Sequence, residues 1–384
     1  MSIRDDDNVV LAAGVEVPYR RQTPDHSTAD LLAQAFGAAL EQSGFNAREI
    51  DGLGVASFTL APDHAIDMAW RLGLSPRWCM DDCHGGASAI NMLQHAVRAI
   101  QHGDASVIAL LSGDRFTPDD FRKLVEHYNV TTSTYLRPLE NGGPNSLFAM
   151  LTERHARRHA FTRRDYGAVC VAQRAWAAGN PGAVYRTPLT LDEYLAAPMV
   201  ADPLCRFDCV PVVCGANAVI VARADLVRRA PTVRVRALEC RYNADHQAGD
   251  GLQTGLAALA DGLWQHAGAG PRDMDLVSVY DDYPVMALVQ LADLGFAPDG
   301  DLRGLIARIG TRELPVNTSG GQLSAGQAGA AGGMHGLVEA IVQLRGAAGE
   351  RQVADARLAA VSGYGMVEYR YGMCANAVVL ERVG

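Results

Sequence analysis

Residues 317–333 read NTSGGQLSAGQAGAAGG, and this glycine-rich stretch leads into an apolar helix predicted over Gly332–Leu344. Glycine allows the backbone to approach a ligand or another element closely, because it has no side chain. A phosphate-binding loop would need a Lys followed by Ser or Thr, and the stretch contains no Lys. Its glycine spacing also differs from a dinucleotide fingerprint. The stretch is therefore interpreted either as a ligand-contacting loop or as a tightly packed turn before a helix.

A second glycine motif, DDCHGGASAI at residues 81–90, also precedes a predicted apolar helix. Cys83 stands just before Gly85 and Gly86 in this motif. The positive end of a helix dipole lowers the pKa of a nearby thiol. Adjacent glycines let backbone N–H groups form an oxyanion hole around a substrate carbonyl. Cys83 is accordingly a candidate nucleophile, and the alternative is a buried structural cysteine.

Two tyrosines follow predicted buried strands. Tyr280 comes directly after the apolar stretch Leu276–Val279, and Tyr364 follows Leu358–Val361. Ligand-binding groups of α/β folds lie beyond the carboxyl ends of strands. Each tyrosine is thus either a candidate site residue or a core residue whose hydroxyl has a hydrogen-bond partner.

The order of predicted elements is repeated along the chain. Each half contains a buried strand, a glycine-rich turn, a long helix and another strand, and strands that alternate with helices predict an α/β fold. We therefore predict an internal duplication. Residues 116–204 are richer in Arg and Tyr and lack this alternation, so we predict that they form a separate inserted segment.

Composition excludes several classes of function. The 384 residues carry 34 Lys plus Arg and 43 Asp plus Glu, a formal net charge of −9, which disfavours nucleic acid or an anionic membrane as a partner. Apolar residues make up 48% of the chain, but no apolar run reaches the ~18–20 residues of a membrane span. The acidic N-terminus is unlike an export signal, and the eight cysteines have no zinc-ligand spacing. We expect a cytoplasmic protein with reduced thiols and no metal site.

Taken together, these segments resemble the thiolase superfamily, most closely its sterol-carrier-protein (lipid-transfer) branch. Ala149–Ala183 is similar to the family's loop-domain helices, residues 198–211 to the stretch before the second half, and residues 317–333 to the second glycine-rich motif. The resemblance implies two duplicated βαβαβαββ halves in a five-layered αβαβα arrangement, with an inserted loop domain, and a homodimer. The predicted boundaries are 1–115 for the first part of the N-terminal half, 116–204 for the loop domain, 205–235 for the strands that return to the N-terminal half, and 236–384 for the C-terminal half.

The resemblance also implies roles for individual residues. It places Cys83 at the family's nucleophilic cysteine and Tyr280 at the group that helps to bind the thioester oxygen. The family's catalytic histidine is replaced by Gln327, whose amide donates hydrogen bonds but cannot accept a proton at pH 7. The second catalytic cysteine is absent, which leaves Tyr364 as an acid or oxyanion donor. The remaining predicted site residues are Gly86 and Gly365 as oxyanion backbone, and Asn317, Gly320, Gly321 and Ser324 as substrate or coenzyme A contacts.

Three functions are compatible with this pattern. The first is an acyltransferase that makes or breaks a C–C bond next to an acyl-CoA thioester through a Cys83 acyl-enzyme. The alternative is a retro-aldolase that cleaves a β-hydroxyacyl-CoA with tyrosine acid/base groups. The third is a partner-dependent subunit whose site is incomplete alone. The resemblance further implies coenzyme A as a substrate, no permanently bound cofactor, and a small zinc-ribbon/OB-fold partner protein in a heterotetramer.

Overall fold

The computed structural model describes residues 8–139, 143–244, 249–368 and 371–384. The α-helices in these ranges are α1 (Thr28–Ser43), α2 (His64–Arg71), α3 (Ser88–His102), α4 (Pro118–Glu126), α5 (Pro144–His159), α6 (Arg163–Ala177), α7 (Leu191–Leu195), α8 (Ala260–Ala267), α9 (Pro284–Asp293), α10 (Leu302–Gly310), α11 (Gly321–Ala325) and α12 (Gly332–Leu344). The strands are β1 (Val9–Glu16), β2 (Gly52–Ala56), β3 (Trp78–Asp82), β4 (Val107–Asp114), β5 (Met199–Ala201), β6 (Leu204–Cys205), β7 (Gly215–Arg223), β8 (Thr232–Tyr242), β9 (Leu276–Ser278), β10 (Leu358–Glu368) and β11 (Tyr371–Val383).

The main sheet confirms the predicted duplication. Its strand order is β3-β2-β4-β7-β1-β8-β11-β10-β9, and the two halves join through the antiparallel pair β1 and β8. Outward from this central pair, the last strand of each half comes next and is antiparallel to both of its neighbours. Beside β9, a parallel bridge between Val277 and Val316 occupies the place that β3 takes beside β2 in the first half.

Apolar residues on alternating faces of the strands build the layers. Along β4, Ile108 and Leu110 belong to a core shared with α3 and α12, whereas Ala109 and Leu111 belong to a core shared with α1 and α2. This is the period-two alternation of a sheet that is buried on both faces. In the second half, α8 and α9 cover the outer face. Helices α3 and α12 contact each other between the two halves, so the predicted five-layered αβαβα arrangement is confirmed.

The chain between β4 and β7 contains α4–α7 and the two-stranded sheet β5–β6. It contains residues 116–204, the segment predicted from its lack of alternating strands and helices to be a loop domain. β8 begins at Thr232, within the segment 205–235 that was predicted to return to the first half. In the structure, β8 pairs with β11 of the second half. Within the described ranges, no helix is both long and apolar enough to cross a membrane.

Candidate active site

A cavity of about 400 Å³ lies between the inserted segment and the turns that follow the strands. Its lining includes five residues predicted from the sequence: Gly86, Tyr280, Gln327, Tyr364 and Gly365. These residues come from both halves of the duplicated fold, and the inserted segment supplies mainly apolar side chains to the opposite wall. The structure therefore brings these five residues, from separate motifs, to one cavity.

Tyr280 and Gln327 are in direct contact in this cavity. The Gln327 Nε2–H donates to the Tyr280 Oη over 2.7 Å. Burial, aided by the charge of Asp282, holds the pKa of Tyr280 well above its ordinary value, so its hydroxyl keeps its proton at neutral pH. Because Gln327 occupies an acceptor site of this oxygen, the Tyr280 proton is available to a group in the cavity.

The turn before α3 fits closely against these groups. A Cβ at Gly86 would lie 2.4 Å from the Tyr280 ring and 2.2 Å from the Tyr364 carbonyl oxygen. A Cβ at Gly365 would lie 2.1 Å from the His84 carbonyl oxygen. Glycine is therefore required at both positions by close backbone approach. Tyr364 is 2% exposed.

Cys83, the predicted nucleophile, does not line this cavity in the described structure. The described residues that line the cavity include Gly85 and Gly86 but not Cys83, which is exposed to solvent. The chain leaves β3 at Asp82 and turns, so that the glycines and not the thiol reach the cavity. A different thiol, Cys209, lines the cavity, and burial raises its pKa to about 12. That group is a protonated thiol at neutral pH and not a ready nucleophile.

The glycines at 320 and 321 do not line the cavity in the described structure. A Cβ at Gly320 would lie 2.4 Å from the Cβ of Ala177 on α6. A Cβ at Gly321 would lie 2.1 Å from the Asp281 carboxylate. Both residues also have positive φ, +98° and +61°, which favours glycine. Packing between elements is sufficient to require glycine at both positions.

Asn317 and Ser324 likewise lie outside the described lining of the cavity and are buried. The Asn317 Oδ1 accepts from the Val279 backbone N–H over 2.8 Å. The Ser324 Oγ accepts from the Arg174 Nε–H over 3.0 Å. These bonds fasten the glycine-rich segment to the residue after β9 and to α6. The predicted substrate or coenzyme A contacts of Asn317 and Ser324 stay predictions.

Asp282 is a cavity residue that the sequence prediction did not select. Its Oδ1 is buried and has no hydrogen-bond partner among the described residues. Burial, together with the neighbouring Asp281, holds the pKa of Asp282 well above its ordinary value. A carboxyl group in this state is a candidate acid or base. Its position in the YDDY motif after β9 was the available signal.

Two further tyrosines, Tyr128 and Tyr283, line the cavity. The Tyr128 Oη would lie 3.2 Å from a Cβ at Gly85, and burial raises the pKa of Tyr128 to about 12. Tyr283 donates to the Asn145 Oδ1 over 2.7 Å. Tyr128 and Asn145 belong to the inserted segment, where no motif marks them, so only the tertiary contact identifies them.

Asp114, at the end of β4, holds two walls of the cavity together. It accepts hydrogen bonds of 2.8 Å from the Ser57 hydroxyl, the Phe58 backbone N–H and the Ala330 backbone N–H. Phe58 lines the cavity, and Ala330 follows Gln327 in the glycine-rich segment. Burial raises the pKa of Asp114 to about 6 despite these donors.

In the described ranges, no group of three or more His, Cys, Asp or Glu side chains could hold a metal ion.

Comparison with known proteins finds a family model that matches part of this chain, two similar sequences and a similar solved structure. Residues 238–381 match the model of the thiolase C-terminal domain-like family. The 17-hydroxy-3-oxo-4-pregnene-20-carboxyl-CoA lyase of Mycobacterium tuberculosis is 32% identical over 340 residues, which cover 82% of this chain and 86% of the lyase. The acetyl-CoA acetyltransferase of Methanothermobacter thermautotrophicus is 27% identical over 91% of this chain and 94% of that protein. The solved Ltp2-ChsH2(DUF35) aldolase has a TM-score of 0.83 at 24% identity, over 98% of both chains.

The duplicated five-layered core and these similarities define a thiolase-fold protein. The chain belongs to the thiolase superfamily, and its relatives include acyl-CoA lyases as well as acyltransferases.

Proposed function

We propose that this chain is an enzyme that cleaves a β-hydroxyacyl-CoA by a retro-aldol reaction. The observation that carries the proposal is the make-up of the cavity, where Tyr280, Gln327 and Asp282 meet beside Gly86 and the predicted nucleophile Cys83 is outside. A retro-aldol cleavage needs a base and an enolate-stabilising donor but no acyl-enzyme. The similarity to an acyl-CoA lyase supports this alternative better than thiolysis.

In the proposed reaction, the carboxylate form of Asp282, which its raised pKa makes a stronger base, removes the proton of the substrate β-hydroxyl. The Cα–Cβ bond then breaks, the β-carbon becomes a carbonyl, and the electron pair passes to the thioester enolate. Tyr280 donates its hydroxyl proton as a hydrogen bond to the enolate oxygen, and Gln327 holds that hydroxyl in place. Protonation at Cα by the protonated Asp282 gives the shorter acyl-CoA and regenerates the carboxylate.

The test uses a synthetic β-hydroxyacyl-CoA and measures the carbonyl product and the shorter acyl-CoA by mass spectrometry. Tyr280→Phe is expected to lower kcat on the order of 10²–10³-fold, because it removes an oxyanion donor. Cys83→Ala is the matched control and should retain the rate within about twofold, because an exposed residue outside the cavity does not touch the reacting atoms. An acyl adduct that forms on the wild-type protein and disappears in Cys83→Ala would establish acyl transfer instead.

The cavity also suggests the kind of acyl group. Aromatic side chains of Phe58, Phe116, Phe121 and Phe148 line it, and such walls suit a bulky apolar group. The lyase relative acts, by its name, on a pregnene-carboxyl-CoA. We infer that the substrate here is a CoA thioester with a ring-containing apolar acyl group, that CoA binds as part of the substrate, and that the reaction needs no permanently bound cofactor.

Two assembly partners complete the proposal. The similar aldolase structure includes a DUF35 partner, so we infer that a small zinc-ribbon/OB-fold protein binds this chain in a heterotetramer. We also infer a homodimer. Strand β3 lies at one edge of the sheet, where a second copy could pair with it. On the neighbouring α2, Ile66 and Trp70 are 65% and 78% exposed and form an apolar surface for such a contact. Co-expression and mass measurement of the complex test both assemblies. The cytoplasm remains the expected location.

A further inference from the structure

A second cavity, of about 270 Å³, lies at the end of β1 beside α12. Glu16, Ser319 and His335 line it together with Val15, Val338 and Asn180. None of these residues belongs to the described lining of the Tyr280 cavity. The second cavity therefore needs its own explanation.

Three side chains in this cavity form a hydrogen-bonded series. The Ser319 Oγ lies 2.7 Å from the His335 Nε2, and the His335 Nδ1 lies 2.5 Å from the Glu16 Oε2. A carboxylate only accepts hydrogen bonds, so the proton on the ring is assigned to Nδ1 and Nε2 is the acceptor. The Gly321 backbone N–H donates to the Ser319 Oγ over 3.2 Å, which leaves the serine proton for Nε2.

The surroundings hold the imidazole in this orientation. His335 is 4% exposed, and the ring of Tyr19 packs against it with centroids 5.6 Å apart. Ser319 comes from the glycine-rich segment, His335 from α12 and Glu16 from β1, so the three groups are fixed by three different elements. This is the order of groups in a Ser-His-acid triad, in which geometry and not sequence position defines the function.

We propose that Ser319, His335 and Glu16 form a second catalytic site that hydrolyses small carboxylic esters. The size of the cavity and the valines at 15, 338 and 342 suit a short apolar acyl group. This activity is separate from the C–C cleavage proposed above, because the two sites share no reacting group.

The proposed hydrolysis has two balanced steps. The Ser319 Oγ attacks the ester carbonyl carbon, its proton passes to the His335 Nε2, and the C–O bond to the alcohol breaks as that proton passes on to the leaving oxygen. Water then attacks the acyl-serine, gives its proton to the same Nε2, and the acid is released as serine regains the proton. Glu16 stabilises the imidazolium that forms in each step.

The pH dependence of this site follows from the charges around the imidazole. Burial by itself lowers the pKa of His335, but the carboxylates of Glu16, Glu339 and Asp281 outweigh burial and raise that pKa above its ordinary value. The other titratable residues near it are Tyr19, whose ring packs against the imidazole, and Arg351, which pairs with Glu339 over 2.9 Å. Hydrolysis needs the neutral imidazole, so its rate should rise with pH through this raised pKa.

The experiment treats the full-length protein with a fluorophosphonate probe, maps the modified peptide by mass spectrometry, and measures hydrolysis of p-nitrophenyl acetate in parallel. The expected result is one phosphonyl adduct, on Ser319. Ser319→Ala should abolish the adduct, and His335→Gln should slow labelling and hydrolysis on the order of 10³-fold.

Two comparisons keep the result decisive. Ser112→Ala removes another buried serine, whose hydroxyl bonds the Ala56 carbonyl, and should leave labelling unchanged. Glu16→Gln preserves an acceptor for the His335 Nδ1 but removes the charge, so labelling should slow while thermal unfolding changes little. A wild-type protein that takes no probe, or takes it on another serine, overturns the proposal and leaves the series as a structural link between elements.

Discussion

The two glycine-rich turns of the duplicated fold differ in what approaches them. The turn at Gly85-Gly86 precedes α3 and forms part of the cavity lining against Tyr280. The turn at Gly320-Gly321 lies at the start of the short helix α11, which is followed by α12. This turn is buried against α6 and Asp281. In sequence the two motifs predict the same thing, namely close backbone approach. The comparison teaches that glycine reports the approach but not whether the neighbour is a ligand site or another helix.

The largest effect is expected from Gly86→Ala. The added Cβ would meet the Tyr280 ring at 2.4 Å and the Tyr364 carbonyl oxygen at 2.2 Å, which displaces the hydroxyl that Gln327 holds. A displacement of this kind should lower kcat for β-hydroxyacyl-CoA cleavage on the order of 10²–10³-fold. Steady-state kinetics on purified protein checks this. Gly37→Ala on α1, where nothing lies within 4 Å, is the control and should keep full activity. Unchanged kcat in Gly86→Ala would remove this turn from the site.

A stability effect without a comparable effect on chemistry is expected from Gly320→Ala. The left-handed φ of +98° and the 2.4 Å approach to Ala177 should together cost about 3 kcal/mol of unfolding free energy. Gly103→Ala separates the two causes, because Gly103 has φ +81° and nothing within 4 Å; it should cost only about 1 kcal/mol. Denaturant titration measures both. Equal losses would mean that packing against α6 is unimportant.

The smallest effect concerns the pH dependence of stability at Asp114, which accepts a hydrogen bond from the Ala330 backbone N–H in the second glycine-rich segment. The folded pKa of Asp114 is about 6, above the ordinary value of about 3.9 for an unfolded Asp. The folded state therefore binds the extra proton between these values, and stability should fall as pH rises from about 4 to about 6, by roughly 2–3 kcal/mol from this group. Above that window its contribution is constant.

The measurement is the unfolding free energy of wild type and Asp114→Asn at several pH values. Asp281 and Asp293 have pKa values raised by burial to about 7, so both proteins will retain some pH dependence. The difference between the two curves isolates Asp114. Parallel curves between pH 4 and 6 would contradict the assignment.

Local patterns predicted much of the fold. Helix α12 spans Gly332–Leu344 as its apolar periodicity indicates. Helix α1 begins after Ser27, whose side chain accepts from the Asp30 backbone N–H, and its last residue precedes Gly44. These features depend on hydrogen bonds and side chains within a few residues, so a short window contains the information. The duplication was also readable, because each half repeats the same order of elements.

The candidate site was predicted only in part. Tyr280 and Gln327 were identified by the resemblance, and they meet at 2.7 Å. Cys83 was selected by its position before Gly85-Gly86, but a turn of one or two residues decides which side chain faces the cavity. Tyr128 could not be selected, because it comes from an inserted segment without a motif.

The amino-acid sequence by itself determined the elements, their duplication and the family, because periodicity, caps and ordered motifs are local or are carried by many positions at once. The tertiary structure alone decided which groups share a cavity: Gln327 with the motif that holds Tyr280 and Asp282, and Glu16 with His335 and Ser319. The physical reason is that these contacts join residues far apart in the chain. Their distances depend on how the two halves and the inserted segment pack, which no short stretch of sequence encodes.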